Sequence, residues 1–191
     1  MESMPRLLLF RIPTPGMNGV RILALALLLS LTGAALARGT YQTPAAFLAE
    51  SFPEGVPQPG VLWLRGRLRE EVKAILGHRY PALRIRYWRQ DDRTAFILEE
   101  IGKEEPITTG IVVRNGHIER IRVLIFRESR GDEVRHDFFT RQFEGARLTA
   151  DRRLDRAIDN ISGATLSVRA IKKLARLALL LEAHLRTRKV P

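Results

Sequence analysis

The last third of the chain carries its most regular hydrophobic pattern. From Thr165 onward, apolar residues recur at spacings of three and four, which is the period of one helix face. The members of this set are Leu166, Ala170, Ile171, Leu174, Ala175, Ala178, Leu181 and Leu185. The pattern predicts a long amphipathic helix that begins close to Thr165 and packs one face against a core.

The centre of the chain changes to a period of two, which is typical of strands. Apolar and charged residues alternate from residue 83, and residues 94–101 favour a second strand. Residues 107–113 and 117–126 predict a hairpin, because Asn115-Gly116 between them is the dipeptide that a tight type I′ turn prefers. Four successive strands between helices predict an α+β fold, in which an antiparallel sheet is flanked by helices.

Two further helices are predicted ahead of the sheet. Thr43 and Pro44 are suited to begin a short one, as its cap and its first helical residue. A loop rich in proline and glycine follows over residues 53–60. Residues 62–76 have an amphipathic helical pattern that Gly77 is placed to end.

Residues 1–37 have the pattern of an export signal. Arg21 precedes an apolar run over residues 22–37, and the run ends in Ala35-Leu36-Ala37. A positive residue, an apolar centre and an A-x-A end together describe a secretory signal peptide. The run is shorter than the roughly 20 residues of a spanning helix, although an uncleaved membrane anchor also fits it. Either alternative places the rest of the chain in the periplasm or on the extracytoplasmic face of the cytoplasmic membrane.

Composition narrows the classes of function. The 191 residues carry a net charge of +11, which points to an anionic partner such as nucleic acid or a membrane surface. The arginines are spread along the chain and no nucleic-acid-binding motif occurs, so a nucleic acid partner is not expected. The absence of cysteine excludes thiol catalysis, disulfides and cysteine-ligated iron–sulfur centres. The four histidines lack metal-ligand spacing, so no metal site is predicted.

The candidate chemistry lies where the long helix begins. The stretch is Asp159-Asn160-Ile161-Ser162-Gly163-Ala164-Thr165-Leu166-Ser167, followed by Arg169, Lys172 and Lys173. A helix N-terminus has unpaired N–H groups and a partial positive charge, so it favours an anion such as a phosphate. From the residues alone, the stretch is either such an anion site or an ordinary helix start capped by Ser162.

The string Asp-x-x-Ser-Gly-Ala-Thr-x-Ser resembles the flavinylation motif of the FMN-binding domain family. That family includes the covalent-FMN subunits of the sodium-translocating NADH:quinone reductase and of the Rnf complex. The matching residues here are Asp159, Ser162, Gly163, Ala164, Thr165 and Ser167. Upstream, residues 110–131 and 139–145 resemble the family's hairpin, its Glu-Ser/Thr-x-Gly turn and its Gln-Phe-x-Gly segment. The resemblance covers roughly residues 107–185.

The resemblance implies a function and a set of site residues. A flavin transferase would join FMN to Thr165 through a phosphoester bond, with Ser162, Gly163, Ala164, Asp159 and Ser167 around it. Glu128 would hydrogen-bond the flavin or fix its own loop, and Arg169, Lys172 or Lys173 would offset the phosphate charge. Residues 83–191 would form the FMN-binding domain, after N-terminal helices and a loop over residues 38–82.

The implied role is that of an electron carrier, with no catalytic residue of its own. Its redox partner would be a membrane component such as a haem protein or a quinone-linked complex. Two alternatives remain open at this point. One is a reductase component that holds FMN without a covalent bond, and the other is a basic envelope protein that lacks the cofactor and contacts anionic lipid or nucleic acid.

Overall fold

A five-stranded antiparallel sheet lies at the centre of the part of the chain that the structure, a computed structural model, describes, which is residues 39–188. The strands are β1 (Gly60–Trp63), β2 (Arg84–Gln90), β3 (Arg93–Ile101), β4 (Pro106–Arg114) and β5 (His117–Phe126). They lie side by side in chain order, and each neighbouring pair is antiparallel. The α+β prediction is therefore confirmed, whereas the predicted export signal over residues 1–37 lies outside the described residues.

Helices flank the sheet as expected. They are α1 (Pro44–Ser51), α2 (Gly66–Leu76), the one-turn α3 (Asp137–Thr140) and the long α4 (Thr165–Thr187). Thr43 caps α1, because its Oγ1 accepts the backbone N–H of Ala46 at 3.1 Å. Gly77 ends α2 in the left-handed region at φ +83°. Across residues 39–188, no helix is both long and apolar enough to cross a membrane.

The helix predicted over residues 62–76 begins later than expected, at Gly66, because residues 60–63 form β1 instead. In β1 the side chains alternate between the two faces of the sheet, so Leu62 is buried whereas Val61 and Trp63 are exposed. The apolar spacing of this segment fits both a helix and a strand. Pairing with β2 decides between them, and the sequence pattern around β1 does not contain that information.

The predicted hairpin between β4 and β5 is confirmed. Asn115 and Gly116 take φ values of +50° and +78° at the turn between the two strands. Positive φ at both central residues is the geometry of a type I′ turn, whose twist matches that of the strands it joins.

The two faces of the sheet pack against different helices. Helices α2 and α4 pack on one face and enclose the main core, in which Phe96, Ile111 and Leu174 are fully buried. Helix α1 covers part of the other face with Phe47, and forms a smaller core there. The predicted apolar set of α4 is buried except for Leu166, which is 39% exposed. The exposed residue lies in the first turn of α4, where the candidate site is.

Candidate functional site

A tight turn delivers the chain into α4. The backbone N–H of Ala164 donates to the carbonyl of Ile161 at 3.0 Å, and Gly163 within this turn has φ +82°. Non-glycine residues rarely adopt that conformation, which explains the glycine. A Cβ at Gly163 would meet no atom of the described residues within 4 Å, so none of them closes this side of the turn.

No described residue caps the start of α4 with its side chain. The N-cap residue is Ala164, and no side chain among residues 39–188 hydrogen-bonds to the cap position. The alternative in which Ser162 caps the helix is therefore wrong, because the chain turns at Gly163 and the exposed Ser162 lies two residues before the N-cap. The N–H groups of the first turn and the positive end of the helix dipole are left for another acceptor.

Thr165 is the first residue of α4, and its side chain is exposed. The side-chain amide of Asn160 donates to Thr165 Oγ1 at 3.0 Å. This hydrogen bond orients the hydroxyl and uses one of its lone pairs, while the hydroxyl proton stays available. Asn160 lies within the stretch that carries the motif, but at a position where the motif specifies no residue type.

Two cavities meet at Thr165, and one of them is strongly basic. It has a volume of about 590 Å³ and extends along α4 towards α2. Its basic lining residues are Arg153, Arg156, Arg169, Lys172, Lys173 and Arg176, and none of the described residues that line it is acidic. Burial lowers the pKa of Arg176 below its usual value, and the nearby positive charge of Arg153 lowers the same pKa further.

The three predicted basic residues are not equally available to a phosphate. Lys173 Nζ bonds to the buried carboxylate of Glu100 at 2.8 Å, and Lys172 Nζ donates to the carbonyl of Ile158 at 3.3 Å. Arg169 is exposed, lines the basic cavity, and has no ion pair to any described residue. Among the three, Arg169 is therefore the one best placed to meet a new anion.

The second cavity lies on the other side of Thr165 and has a volume of about 600 Å³. Its walls are the start of α4, from Gly163 to Ser167, and the turn after β5 that carries Glu128, Ser129 and Arg130. Both cavities fall in the range of roughly 300–1,000 Å³ that small-molecule sites occupy. The structure thus brings together the two sequence segments on which the resemblance depends.

Gly131 explains why the two segments meet. It has φ +89°, and a Cβ at this position would lie 2.8 Å from Ser167 Oγ and 3.4 Å from the Ala164 backbone. Ser167 is itself only 4% exposed. The turn after β5 therefore packs directly on the first turn of α4, and the predicted site residue Ser167 forms part of that contact.

The carboxylate of Glu128 points into the protein and joins the turn after β5 to the turn between β3 and β4. Its Oε1 accepts the backbone N–H groups of Lys103, Glu104 at 2.7 Å and Glu105 at 3.0 Å, in the turn between β3 and β4. Partial burial by itself raises the pKa of Glu128, but these three donors outweigh it and lower the pKa below its usual value. Of the two roles expected for Glu128, the structure shows the one that fixes the loop.

The Gln-Phe segment supports the other side of the site. The side-chain oxygen of Gln142 accepts the backbone N–H of Asp159 at 2.7 Å, while Phe143 is fully buried in the main core. The predicted residue Asp159 is thus held through its backbone, and its side chain is exposed. Sequence reasoning missed Gln142 as a support, although the segment that contains it carried part of the resemblance.

These features define the class of site. An uncapped helix start, an exposed hydroxyl, neighbouring cations and two adjoining cavities fit a cofactor that carries a phosphate. Residues 102–180 match the family model of the FMN-binding domain, which confirms the resemblance that the sequence motifs indicate. The match supports FMN as the cofactor and a flavoprotein as the class of protein. Among curated proteins, none matches this chain.

Proposed function

We propose that the protein is an extracytoplasmic electron-transfer flavoprotein whose FMN is esterified through its phosphate to Thr165. The observation that carries this proposal is the position of Thr165. Its hydroxyl is exposed at an uncapped helix start, and it lies between two cavities large enough for a cofactor. Exposure matters because a second protein, the flavin transferase, must reach the hydroxyl.

The attachment reaction balances with one co-reactant. FMN itself has no activated phosphate, so the donor must be a flavin dinucleotide. A bond forms between Thr165 Oγ1 and the phosphorus on the flavin side, the pyrophosphate bond breaks, and a nucleoside monophosphate leaves. The hydroxyl proton is released to a base of the transferase or to solvent. The protein then weighs more by one FMN minus one water.

This chain's own residues would hold the esterified phosphate. A phosphodiester keeps one negative charge, which the first-turn N–H groups of α4 and the guanidinium of Arg169 can offset. Asn160 already donates to Thr165 Oγ1 and would hold the ester oxygen in the same orientation. Lys172 and Lys173 have other partners and would contribute through their charge alone.

The flavin ring would supply the electron chemistry, and the protein would supply attachment and orientation. Ser129 and Arg130 line the cavity beside Thr165 and offer a wall of fixed position, because Glu128 anchors their turn. Glu128 is the only carboxylate among the described residues that line this cavity, and its Oε1 is occupied by backbone donors. The site thus favours an electron carrier over an enzyme with acid–base chemistry of its own.

The location and the partners of the protein belong to the same proposal. The signal-like pattern of residues 1–37 supports export to the periplasm or to the outer face of the cytoplasmic membrane. A covalent bond would keep the cofactor in place there, where lost FMN is not readily replaced. The redox partner would then be a membrane component such as a haem protein or a quinone-linked complex.

Mass spectrometry tests the attachment directly. Full-length protein co-produced with a bacterial flavin transferase should gain the mass of FMN minus water, and a peptide map should place it on Thr165. Thr165→Val matches the shape of threonine without the hydroxyl and should gain nothing, whereas Thr165→Ser should still be modified. A wild-type protein of unmodified mass contradicts the covalent bond. Yellow colour that acid denaturation releases would instead identify non-covalent FMN.

A further inference from the structure

The outer face of the sheet is covered only in part. Helix α1 packs Phe47 and Leu48 over β3, β4 and β5, where Val112 is buried beneath them. The outer face of β1 and of the first part of β2 lies beyond this cover, whereas Trp88, later in β2, packs against it. Val61 and Trp63 on β1 are each 44% exposed there.

Arginines surround these exposed apolar side chains. In the β1–β2 register, Val61 lies opposite Arg86 and Trp63 lies opposite Arg84, so all four side chains share one face. The guanidinium carbons of Arg65 and Arg84 lie 4.8 Å and 5.8 Å from the centre of the Trp63 ring. We refer to Val61, Trp63, Arg65, Arg84 and Arg86 as the Trp63 patch.

A groove continues from the patch towards α1. It has a volume of about 390 Å³, and its lining includes Leu48, Trp88 and Ile97 together with Arg84 and Arg86 of the patch. Apolar side chains therefore lie deeper and guanidinium groups lie at the rim. An amphipathic surface of this kind matches a ligand with an anionic head and an apolar body.

The segment of the chain that contains the patch is also positively charged. Residues 60–89 contain eight lysines and arginines but only two glutamates, so this segment carries more than half of the net charge of +11. One of these glutamates, Glu71, is paired with Arg67 and Arg152. Arg67, Arg69 and Lys73 of this segment belong to α2 on the other face of the sheet, so the patch itself carries three positive charges, those of its arginines, and no acidic residue.

We propose that the Trp63 patch docks the protein on a membrane surface rich in anionic phospholipids. Tryptophan favours the headgroup level of a bilayer, where its ring is apolar and its N–H is solvated. Arginine binds phosphate groups in a bidentate manner, and each basic residue near an anionic leaflet adds attraction. Stacking on arginine places Trp63 and the guanidinium groups at one depth, which suits a headgroup layer better than a folded acidic protein.

The two tryptophans of the chain allow a local test. In Trp88→Phe, Trp63 is the only tryptophan and reports on the patch alone, even if residues 1–37 also bind lipid. Thr165→Val is added so that no attached flavin quenches the emission, which makes the test independent of the proposed function. With vesicles of phosphatidylcholine and phosphatidylglycerol, the Trp63 emission should shift to the blue, and brominated lipid should quench it. Vesicles of phosphatidylcholine alone should produce neither effect.

A charge-matched pair of variants gives the control. Arg84→Gln with Arg86→Gln should raise the lipid concentration at the half-maximal shift about 25-fold, or roughly fivefold per arginine. Arg141→Gln with Arg147→Gln removes the same charge on the β5 side of the sheet. This control should raise the lipid concentration at the half-maximal shift less than threefold, which is less than the roughly fivefold expected for one arginine at the membrane surface.

Three results would overturn the proposal. One is an unchanged emission on anionic vesicles, and the second is an equal shift on both kinds of vesicle. The third is an emission that is already blue-shifted before lipid is added, because another part of the chain would then cover the patch. If an oligonucleotide shifts the Trp63 emission and anionic vesicles do not, the membrane proposal is also overturned, and the patch would be assigned to nucleic acid.

Discussion

The two turns that meet at the start of α4 are held in opposite ways. The turn after β5 is fastened at both ends, by the three backbone donors on Glu128 and by the packing of Gly131 against Ser167. The turn that leads into α4 has one internal backbone hydrogen bond, and its Ser162 and Gly163 are exposed. One turn is a fixed wall of the site, whereas the other leaves space around the hydroxyl of Thr165.

The difference shows how a fold can carry both a rigid support and an accessible group in one small site. A modifying enzyme needs free access to Thr165, so the turn beside it cannot be buried. A bound cofactor also needs surfaces that do not move. Ordering a mobile surface on binding costs conformational entropy, and a surface that is already fixed avoids that cost. The fixed turn provides that support from a different part of the chain.

Alanine at the two glycines should give the largest contrast between the turns. Both positions have positive φ, for which a Cβ costs roughly 1–2 kcal/mol. Gly131→Ala adds a clash with the buried Ser167 and should lower the free energy of unfolding by about 3 kcal/mol in total. Gly163→Ala has no neighbour to meet and should cost only about 1 kcal/mol. Urea unfolding followed by circular dichroism measures both.

A double variant separates the clash at Gly131 from the backbone strain. Ser167→Ala removes the hydroxyl that the new Cβ meets, so the pair Gly131→Ala and Ser167→Ala should recover part of the loss. Equal costs at the two glycines, or no recovery in the pair, would show that the turn after β5 is not held by this packing.

Much of the fold could be predicted from local sequence patterns, whereas β1 could not. The β4–β5 turn was predictable because asparagine and glycine tolerate the two positive φ values it needs. β1 has only four residues, and Leu64 directly after it continues the apolar spacing of α2. Its identity as a strand comes from β2, more than twenty residues later. Local patterns do not carry such a pairing.

Some features of the site could likewise be predicted from local sequence, whereas others depend on contacts between distant parts of the chain. Thr165, Gly163 and the positive charge of α4 follow from a short motif and from the general properties of helix starts. The role of Glu128 depends on backbone groups 23 to 25 residues earlier in the chain, which only the folded sheet brings to it. The choice of Arg169 over Lys173 likewise depends on Glu100, a residue of β3 that pairs with Lys173.

Removing the charge of Glu128 should loosen the fixed turn by a smaller amount. Glu128→Gln keeps an acceptor oxygen but loses the charge-assisted character of the bonds, and should cost about 1 kcal/mol since the turn is partly solvated. The neighbouring Glu104→Gln is the matched control. Within the described part of the chain its side chain pairs only with Lys103, and both side chains are about 70% exposed. Its effect should stay within about 0.5 kcal/mol.

The same variant predicts a dependence on pH. The folded protein holds the pKa of Glu128 below its usual value of 4.5, so this carboxylate stabilises the fold fully above that value. As the pH falls below 4.5 towards the folded pKa, the stabilisation is lost. The stability difference between wild type and Glu128→Gln should therefore shrink in this range. A difference that is constant with pH would mean that the three backbone donors do not act on the ionised form.

The smallest effect should appear at Ser162, and it tests whether the open turn has a hidden cap. Ser162 is exposed, and the N-cap of α4 is Ala164, so Ser162→Ala should change the free energy of unfolding by less than about 0.5 kcal/mol. Thr43→Ala removes a genuine cap on α1 and should cost about 1 kcal/mol. Equal losses in thermal or urea unfolding would show that Ser162 does cap α4, and an anion at Thr165 would then have to compete with its hydroxyl for the first-turn N–H groups.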